Sequence, residues 1–254
     1  MINKKLVLLL SLCVAGSFVP LRASVVDCAV DATLQGVFNA GGVCTIGAYS
    51  FTFDPNEYTH NQSGGGVPSG GLLASHLDIS DLINANGTGF RLTPDQTFDA
   101  TSGGNNDIQL AYFVTGTNIN AIYLEVDGTV VGPGTAQDHV LEDYCLGVGV
   151  AGPPPGGTNT SCPGNAATGD QSTPLNAYIT SGTTPGVASA TFNSTTKVTA
   201  LKDIDAFGGT GTSATVSSVI NQWGPAVVPE PGTYVLSCIG LGLMFLGARK
   251  YSRS

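Results

Sequence analysis

The chain is 254 residues long, with 35 glycines, 18 acidic residues against 9 basic ones, and a formal charge of −9. Its basic residues gather at the two ends, so residues 24–229 keep only Arg91, Lys197 and Lys202 against seventeen acidic groups, a formal charge of −14. Such a surface repels nucleic acid and anionic lipid, whose phosphates are held by Lys and Arg; nucleic acid is excluded as a partner, and the plainest role of the charge is to keep a Gly- and Thr-rich body in solution.

Lys4 and Lys5 precede an apolar run from Leu6 to Val19, followed by Pro20 and Leu21-Arg22-Ala23. A basic start, a short apolar core and a small residue before the cut predict a secretory signal peptide over residues 1–23, cleaved after Ala23. The run is too short to span a bilayer, which takes about 20 residues. A lipoprotein reading through Cys13 fits poorly, because bulky Leu12 stands where a small residue is needed.

The body that follows, residues 24–227, reads as one domain built from short β-branched and alternating runs. Strands are predicted at Tyr49–Phe53, Ile108–Thr115, Ile119–Val126, Ala188–Phe192, Thr195–Leu201 and Ala214–Ile220. In the second of these, Ile108, Leu110, Tyr112 and Val114 share one face, the period of a half-buried strand. Asp127-Gly128 predicts a two-residue hairpin between Ile119–Val126 and Thr129–Val131. One amphipathic helix is predicted over Leu72–Ala85, ended by Asn86, Gly87 and Gly89. Residues 147–169, with Pro153-Pro154-Pro155, predict a long loop. The expected fold class is therefore all-β, an antiparallel β-sandwich or jelly roll.

Cys13 and Cys238 lie in the two terminal segments, which leaves Cys28, Cys44, Cys145 and Cys162 in the body. Four cysteines in an exported chain imply disulfides, with three connectivities open. The spacings of sixteen and seventeen residues favour two local loops, Cys28–Cys44 and Cys145–Cys162. Zinc is the alternative, but there is no Cys-x-x-Cys.

At the C-terminal end, Val228-Pro229-Glu230-Pro231 leads into the apolar stretch Tyr234–Ala248, and the chain closes on Arg249, Lys250, Tyr251, Ser252, Arg253 and Ser254. One reading is a short transmembrane anchor whose basic cluster stays in the cytoplasm. At about 1.5 Å per residue, some 15 apolar residues fall short of a ~30 Å hydrocarbon core, and Gly240, Gly242 and Gly247 weaken the helix further. The order of parts over residues 228–254 resembles the PEP-CTERM sorting signal of exopolysaccharide-producing bacteria. That resemblance implies an exosortase, a transpeptidase-like membrane protein, acting at Pro229, Glu230 and Pro231 to remove the tail. It also implies a transient membrane association and delivery to the cell surface, extracellular matrix or biofilm. Three further stretches resemble a recurrent PEP-CTERM ectodomain family of exported proteins: Val43-Cys44-Thr45-Ile46-Gly47, Leu110–Thr115 with Tyr144-Cys145-Leu146-Gly147, and Val198–Ile204 with Gly208-Gly209. The resemblance implies no catalytic residue.

Motifs for chemistry are few. Gly147-Val148-Gly149-Val150-Ala151-Gly152 fits G-x-G-x-x-G, but three prolines follow where a phosphate-binding helix would have to start. There is no G-x-S-x-G, Gly211-Thr212-Ser213-Ala214-Thr215 being the near miss, and none of His60, His76 and His139 sits in a zinc-protease motif. His139 and Asp143 are expected on one strand face, with Asp138 and Glu142 on the other. They could form half of a metal or acid–base site, though a solvated strand end explains the pattern more simply. Asn105-Asn106-Asp107 and Asp203-Ile204-Asp205 read as oxygen-rich loops of the kind that bind structural calcium at about 0.1–1 mM in extracellular modules. Asn61, Asn86, Asn159 and Asn193 begin N-x-S/T triplets of no special weight in an Asn/Thr-rich chain.

The sequence thus points to an exported, exosortase-processed surface or exopolysaccharide-matrix protein that is structural or adhesive. No catalytic or metal-ligating residue and no cofactor are expected, structural calcium being the one ion weighed. The alternative is a secreted carbohydrate-binding or carbohydrate-hydrolysing β-sandwich, which would need exposed aromatics or a carboxylate pair about 5–10 Å apart.

Overall fold

The computed structural model describes residues 26–28, 32–64, 71–147 and 175–224. The expected signal peptide, nearly all of the expected loop over 147–169, Cys162 and the tail from Val228 lie outside the described residues. Among the described residues, thirteen strands join in one hydrogen-bonded network. They are β1 Val26–Asp27, β2 Ala32–Thr33, β3 Val43–Ile46, β4 Tyr49–Phe53, β5 Thr59–Ser63, β6 Leu77–Asn84, β7 Gly87–Pro94, β8 Phe98–Ala100, β9 Asn105–Val131, β10 Gln137–Leu146, β11 Leu175–Ile179, β12 Gly186–Phe207 and β13 Ser213–Gly224. All pairings are antiparallel except β1 with β3. One six-residue helix, α1 Leu34–Asn39, interrupts them; the Thr33 hydroxyl caps it by accepting from the Gly36 N–H at 3.1 Å.

Two very long strands organise the network. The first half of β9 pairs with β4 and β5 on one side and with the second half of β12 on the other. The second half of β9 pairs with the first half of β12 and with β13. Between these halves both strands lose register: no pairing links Thr115 to Ile119 in β9, and β12 carries irregularities between Thr191 and Lys197. Asn118 adopts a left-handed φ of 60°, the one non-glycine among the described residues to do so, and its side chain accepts a hydrogen bond from the Ser194 hydroxyl at 2.8 Å. Bulges of this kind bend and twist a strand, so β9 and β12 pass from one layer into the other. Layer one runs β1-β3-β4/β5-β9-β12-β10-β11, and layer two runs β2-β6-β7/β8-β13-β9-β12.

Alternate residues of each strand meet between the layers. Phe51 and Phe53 of β4 meet Phe90 of β7 at ring-centroid distances of 5.5 and 5.3 Å, Tyr112 of β9 meets Phe90 at 5.3 Å, and Tyr144 of β10 meets Trp223 of β13 at 6.1 Å. These offset and edge-on arrangements are the ones aromatic quadrupoles favour. One continuous apolar cluster, from Cys28 through Trp223, fills the space. The described residues are thus all-β, and their antiparallel sheet folds over itself as a sandwich, as the sequence predicts.

Cys28 and Cys44 are bonded, fixing β1 against β3 with Cα atoms 5.4 Å apart. Cys145 is also disulfide-bonded, and its expected partner Cys162 is outside the described residues.

Two expected elements, a helix and a hairpin, are overturned. Leu72–Ala85 is not a helix: a 3₁₀ turn at Ala74–His76 leads into β6, which pairs along its whole length with β7. Leu77 and Ile79 alternate into the core while Ile83 lies 61% exposed, a spacing that satisfies both periods, and tertiary pairing decides between them. Asp127-Gly128 is not a hairpin either, because β9 runs straight through it and pairs with Val216 and Ser218 across a bulge in β13. Gly128 lacks the positive φ of a primed turn. Its missing side chain instead makes room for the Asp138 carboxylate and the Thr215 carbonyl, into which an added Cβ would run.

Candidate functional site

The outward face of layer one carries a polar row set by strand register. Asn61 of β5 lies opposite Asp107 of β9, Asp107 opposite Asp205 of β12, Asp205 opposite His139 of β10, and His139 opposite Tyr178 of β11. The neighbouring row, two residues along each strand, reads Thr59, Gln109, Asp203, Leu141 and Asn176. Side chains at i and i+2 share a face, so Asp203 and Asp205 stand side by side and Asp107 reaches them from the next strand. Neither oxygen-rich segment is a loop, contrary to expectation; both are strand.

Carboxylate oxygens of Asp107, Asp203 and Asp205 lie within 4.8 Å of one another, the one group among the described residues with a donor set for a metal ion. The Oδ1 atoms of Asp107 and Asp203 are shut off from solvent without a hydrogen-bond donor. Burial, then the hydrogen bond and charge of Asp203 and the charge of Asp205, push the Asp107 carboxyl up to about 8. Burial also raises Asp203, against the hydrogen bond that Asp107 gives it and the nearby His139. Near neutral pH the Asp107–Asp203 pair therefore shares a proton, since like charges so close cannot both ionise cheaply. His139 Nδ1 stands 3.8 Å from Asp205 Oδ2 and Nε2 lies 3.0 Å from Asn176 Oδ1; the Asp205 carboxylate is the main cause of its raised pKa, with burial opposing.

Aromatic surface borders this polar strip. Tyr178 is 58% exposed at one end of the row, and Phe207, 36% exposed, lies between Asn105 and Gln137 one step along the strands. A sugar is recognised by such a combination, with rings against its C–H faces and amides and carboxylates against its hydroxyls.

The expected cluster around His139 separates as its alternation requires, with His139 and Asp143 outward and Asp138 and Glu142 inward. Asp138 and Glu142 are fully buried, so this is no solvated strand end. Burial pushes Asp138 up to about 7, and the Thr129 backbone N–H draws it part of the way back. Glu142 takes an ion pair from Lys202, its register partner on β12, and a hydrogen bond from the Tyr112 hydroxyl, which also meets the Asn221 side chain. Burial lowers the Lys202 pKa against the pull of Glu142 and raises Tyr112 well above its usual value. Sequence reasoning named Asp107, Asp203, Asp205 and His139 separately and missed that β9, β12 and β10 are neighbours in register. The Asp-x-Asp spacing marks one strand face, but nothing local marks its partner strand. Pro229, Glu230, Pro231, Arg249, Lys250, Arg253 and Cys162 lie outside the described residues, within which no helix is long and apolar enough to cross a membrane.

No curated protein matches the chain. Among solved structures it is similar to the enzymatically active domain of bacteriophage CBA120 tailspike protein 4, at 12% identity and a TM-score of 0.28, over 67% of this chain and 20% of that one. It is similar also to TmCBM61 in complex with beta-1,4-galactotriose, at 6% identity and a TM-score of 0.26, over 69% of this chain and 88% of that one. The chain thus spans a fifth of the tailspike domain, and at these scores neither likeness bears on function. Residues 227–253, which hold Pro229-Glu230-Pro231, the apolar stretch and the basic cluster, match the PEP-CTERM protein-sorting motif, and by that motif the chain is an exported protein sorted through a membrane-anchored intermediate.

Proposed function

We propose that this is a non-catalytic, exosortase-processed component of the cell surface or exopolysaccharide matrix, and that it holds hydrated polysaccharide on the outward face of layer one. The observation that carries the reading is the row Asn61, Asp107, Asp205, His139 and Tyr178, an exposed ring ending a strip of amide and carboxylate groups. The anionic body favours neutral or cation-bridged sugars over strongly acidic ones. Calcium held by Asp107, Asp203 and Asp205 would supply such a bridge, with oxygen donors of the kind it prefers.

The test incubates the mature exported protein with matrix polysaccharide, measuring retention on the polymer and release of reducing ends. Retention without new reducing ends is expected, with Tyr178→Ala weakening retention about tenfold, the loss of roughly 1.4 kcal/mol of ring contact. Reducing ends that disappear in an Asp107→Asn, Asp203→Asn variant would establish the hydrolytic alternative instead.

A further inference from the structure

Lys202 is the one basic residue in the described core, with none of its surface exposed, and lysine is almost never buried completely. It belongs to the layer-one half of β12, pairing with Glu142 of β10 and Leu110 of β9. Asn221 belongs to layer two, where β13 pairs with Leu124 of β9 and Phe90 of β7, and it too is fully buried. Glu142 and Tyr112 connect them: Lys202 Nζ meets one oxygen of Glu142, the Tyr112 hydroxyl meets the other, and the same hydroxyl meets the Asn221 side chain. Phe53 and Phe90 pack on the Tyr112 ring, while Trp223 packs on Tyr144 beside it. Stability alone gives little reason for this arrangement, because replacing a buried ion pair with apolar side chains is often neutral or stabilising.

We propose that Lys202 and Asn221 are joined covalently, by an amide bond between Lys202 Nζ and Asn221 Cγ that forms within the folded protein. A dry aromatic surround disfavours separated charges, so the Lys202 proton passes to Glu142 and leaves a neutral amine, the form that is nucleophilic. The flexible four-carbon stem of Lys202 lets Nζ swing from Glu142 to the Asn221 carboxamide. The Nζ lone pair attacks Cγ and forms the new N–C bond. Glu142, protonated and held by Tyr112, gives its proton to the departing Nδ2 and recovers one from Nζ. The Cγ–Nδ2 bond breaks and ammonia leaves. One amine and one carboxamide become one substituted amide and one ammonia, with no oxidant, metal or cofactor consumed. Burial holds the reactants together, as an intramolecular reaction requires, and keeps water from hydrolysing the intermediate. The product staples β12 in layer one to β13 in layer two.

Intact-mass measurement of the mature exported protein, reduced to remove its disulfides, tests this directly. A species lighter than its sequence by one ammonia is expected, with proteolysis yielding a branched peptide that contains both Lys202 and Asn221. Full sequence mass with Lys202 recovered in a linear peptide would overturn the proposal, and so would loss of one water with Lys202 joined to Glu142. Glu142→Gln, which keeps the side-chain shape and removes the proton carrier, is expected to restore full mass while the far-ultraviolet circular dichroism stays that of a β protein. A Glu142→Gln protein linked as completely as the wild type would remove Glu142 from the reaction.

Discussion

Replacing Asp107 by asparagine should stabilise the protein at alkaline pH and change little in acid. The Asp107 carboxyl has its pKa raised from 3.8 to about 8 in the folded chain, so the folded state holds a proton that the unfolded state releases. Stability therefore falls as pH rises wherever the folded state binds more protons. The favourable contribution is fully present below about pH 4, declines between the unfolded value of 3.8 and the folded value of about 8, and is gone above that. A shift of some four units would amount to about 5–6 kcal/mol at ~1.4 kcal/mol per unit. Asp107 is only half-buried, however, and solvent screens such interactions, so a decline on the order of 1–2 kcal/mol is the expectation. The substituted amide keeps the shape and the hydrogen bond to Asp203 but cannot ionise. Urea denaturation of wild type and Asp107→Asn at pH 4, 6 and 9 reads the difference, which should be near zero at pH 4 and grow to its full size by pH 9. A constant difference across that range would refute the reasoning, since it would place the effect in packing rather than in proton binding.

Millimolar calcium should raise the melting temperature of the wild type above pH 7 and leave Asp107→Asn, Asp203→Asn unchanged; equal shifts in both would rule out the triad as the cation site. Gly128→Ala is expected to cost about 1–3 kcal/mol by driving a methyl group into the Asp138 carboxylate and the β13 backbone, measured by denaturant midpoint. A loss well below 1 kcal/mol would mean that β9 and β13 part there. Replacing Cys28 and Cys44 together by serine should destabilise the protein by roughly 3 kcal/mol, the chain-entropy value for a loop of about fifteen residues; an unchanged midpoint would show that β1 adds nothing to the fold.

Fold class was readable because its signals are local. Tyr49–Phe53 alternates cleanly and becomes β4 with the same bounds, and inward Ile108, Leu110, Tyr112 and Val114 do in β9 what their period requires. Where two periods fit the same apolar residues, as in Leu72–Ala85, only the presence of β7 alongside settled the outcome. Gly128 misled for a related reason: glycine serves both turns and close approaches, and the group that comes close, Asp138, is ten residues away on another strand. The candidate site was half legible. Its acids stand out as Asp203-x-Asp205 and Asp107-x-Gln109, but their convergence depends on register between strands nearly a hundred residues apart, which no local pattern encodes. The buried Lys202, Glu142 and Asn221 were hidden more deeply, because in a chain so poor in charge a lone lysine reads as surface.

The placement of β13 has a mechanical consequence. This strand ends at Gly224, three residues before the sorting motif begins at residue 227, and it lies inside layer two, bonded to β9 along one edge and to β7 and β8 along the other. While the tail holds the protein to a membrane, any drag on the body is transmitted along β13 itself. A load applied lengthwise to an interior strand meets its hydrogen bonds in shear, where they must break nearly together, whereas a strand at an edge could be peeled away one bond at a time. The tether is thus attached at a point where the domain resists extension from both sides.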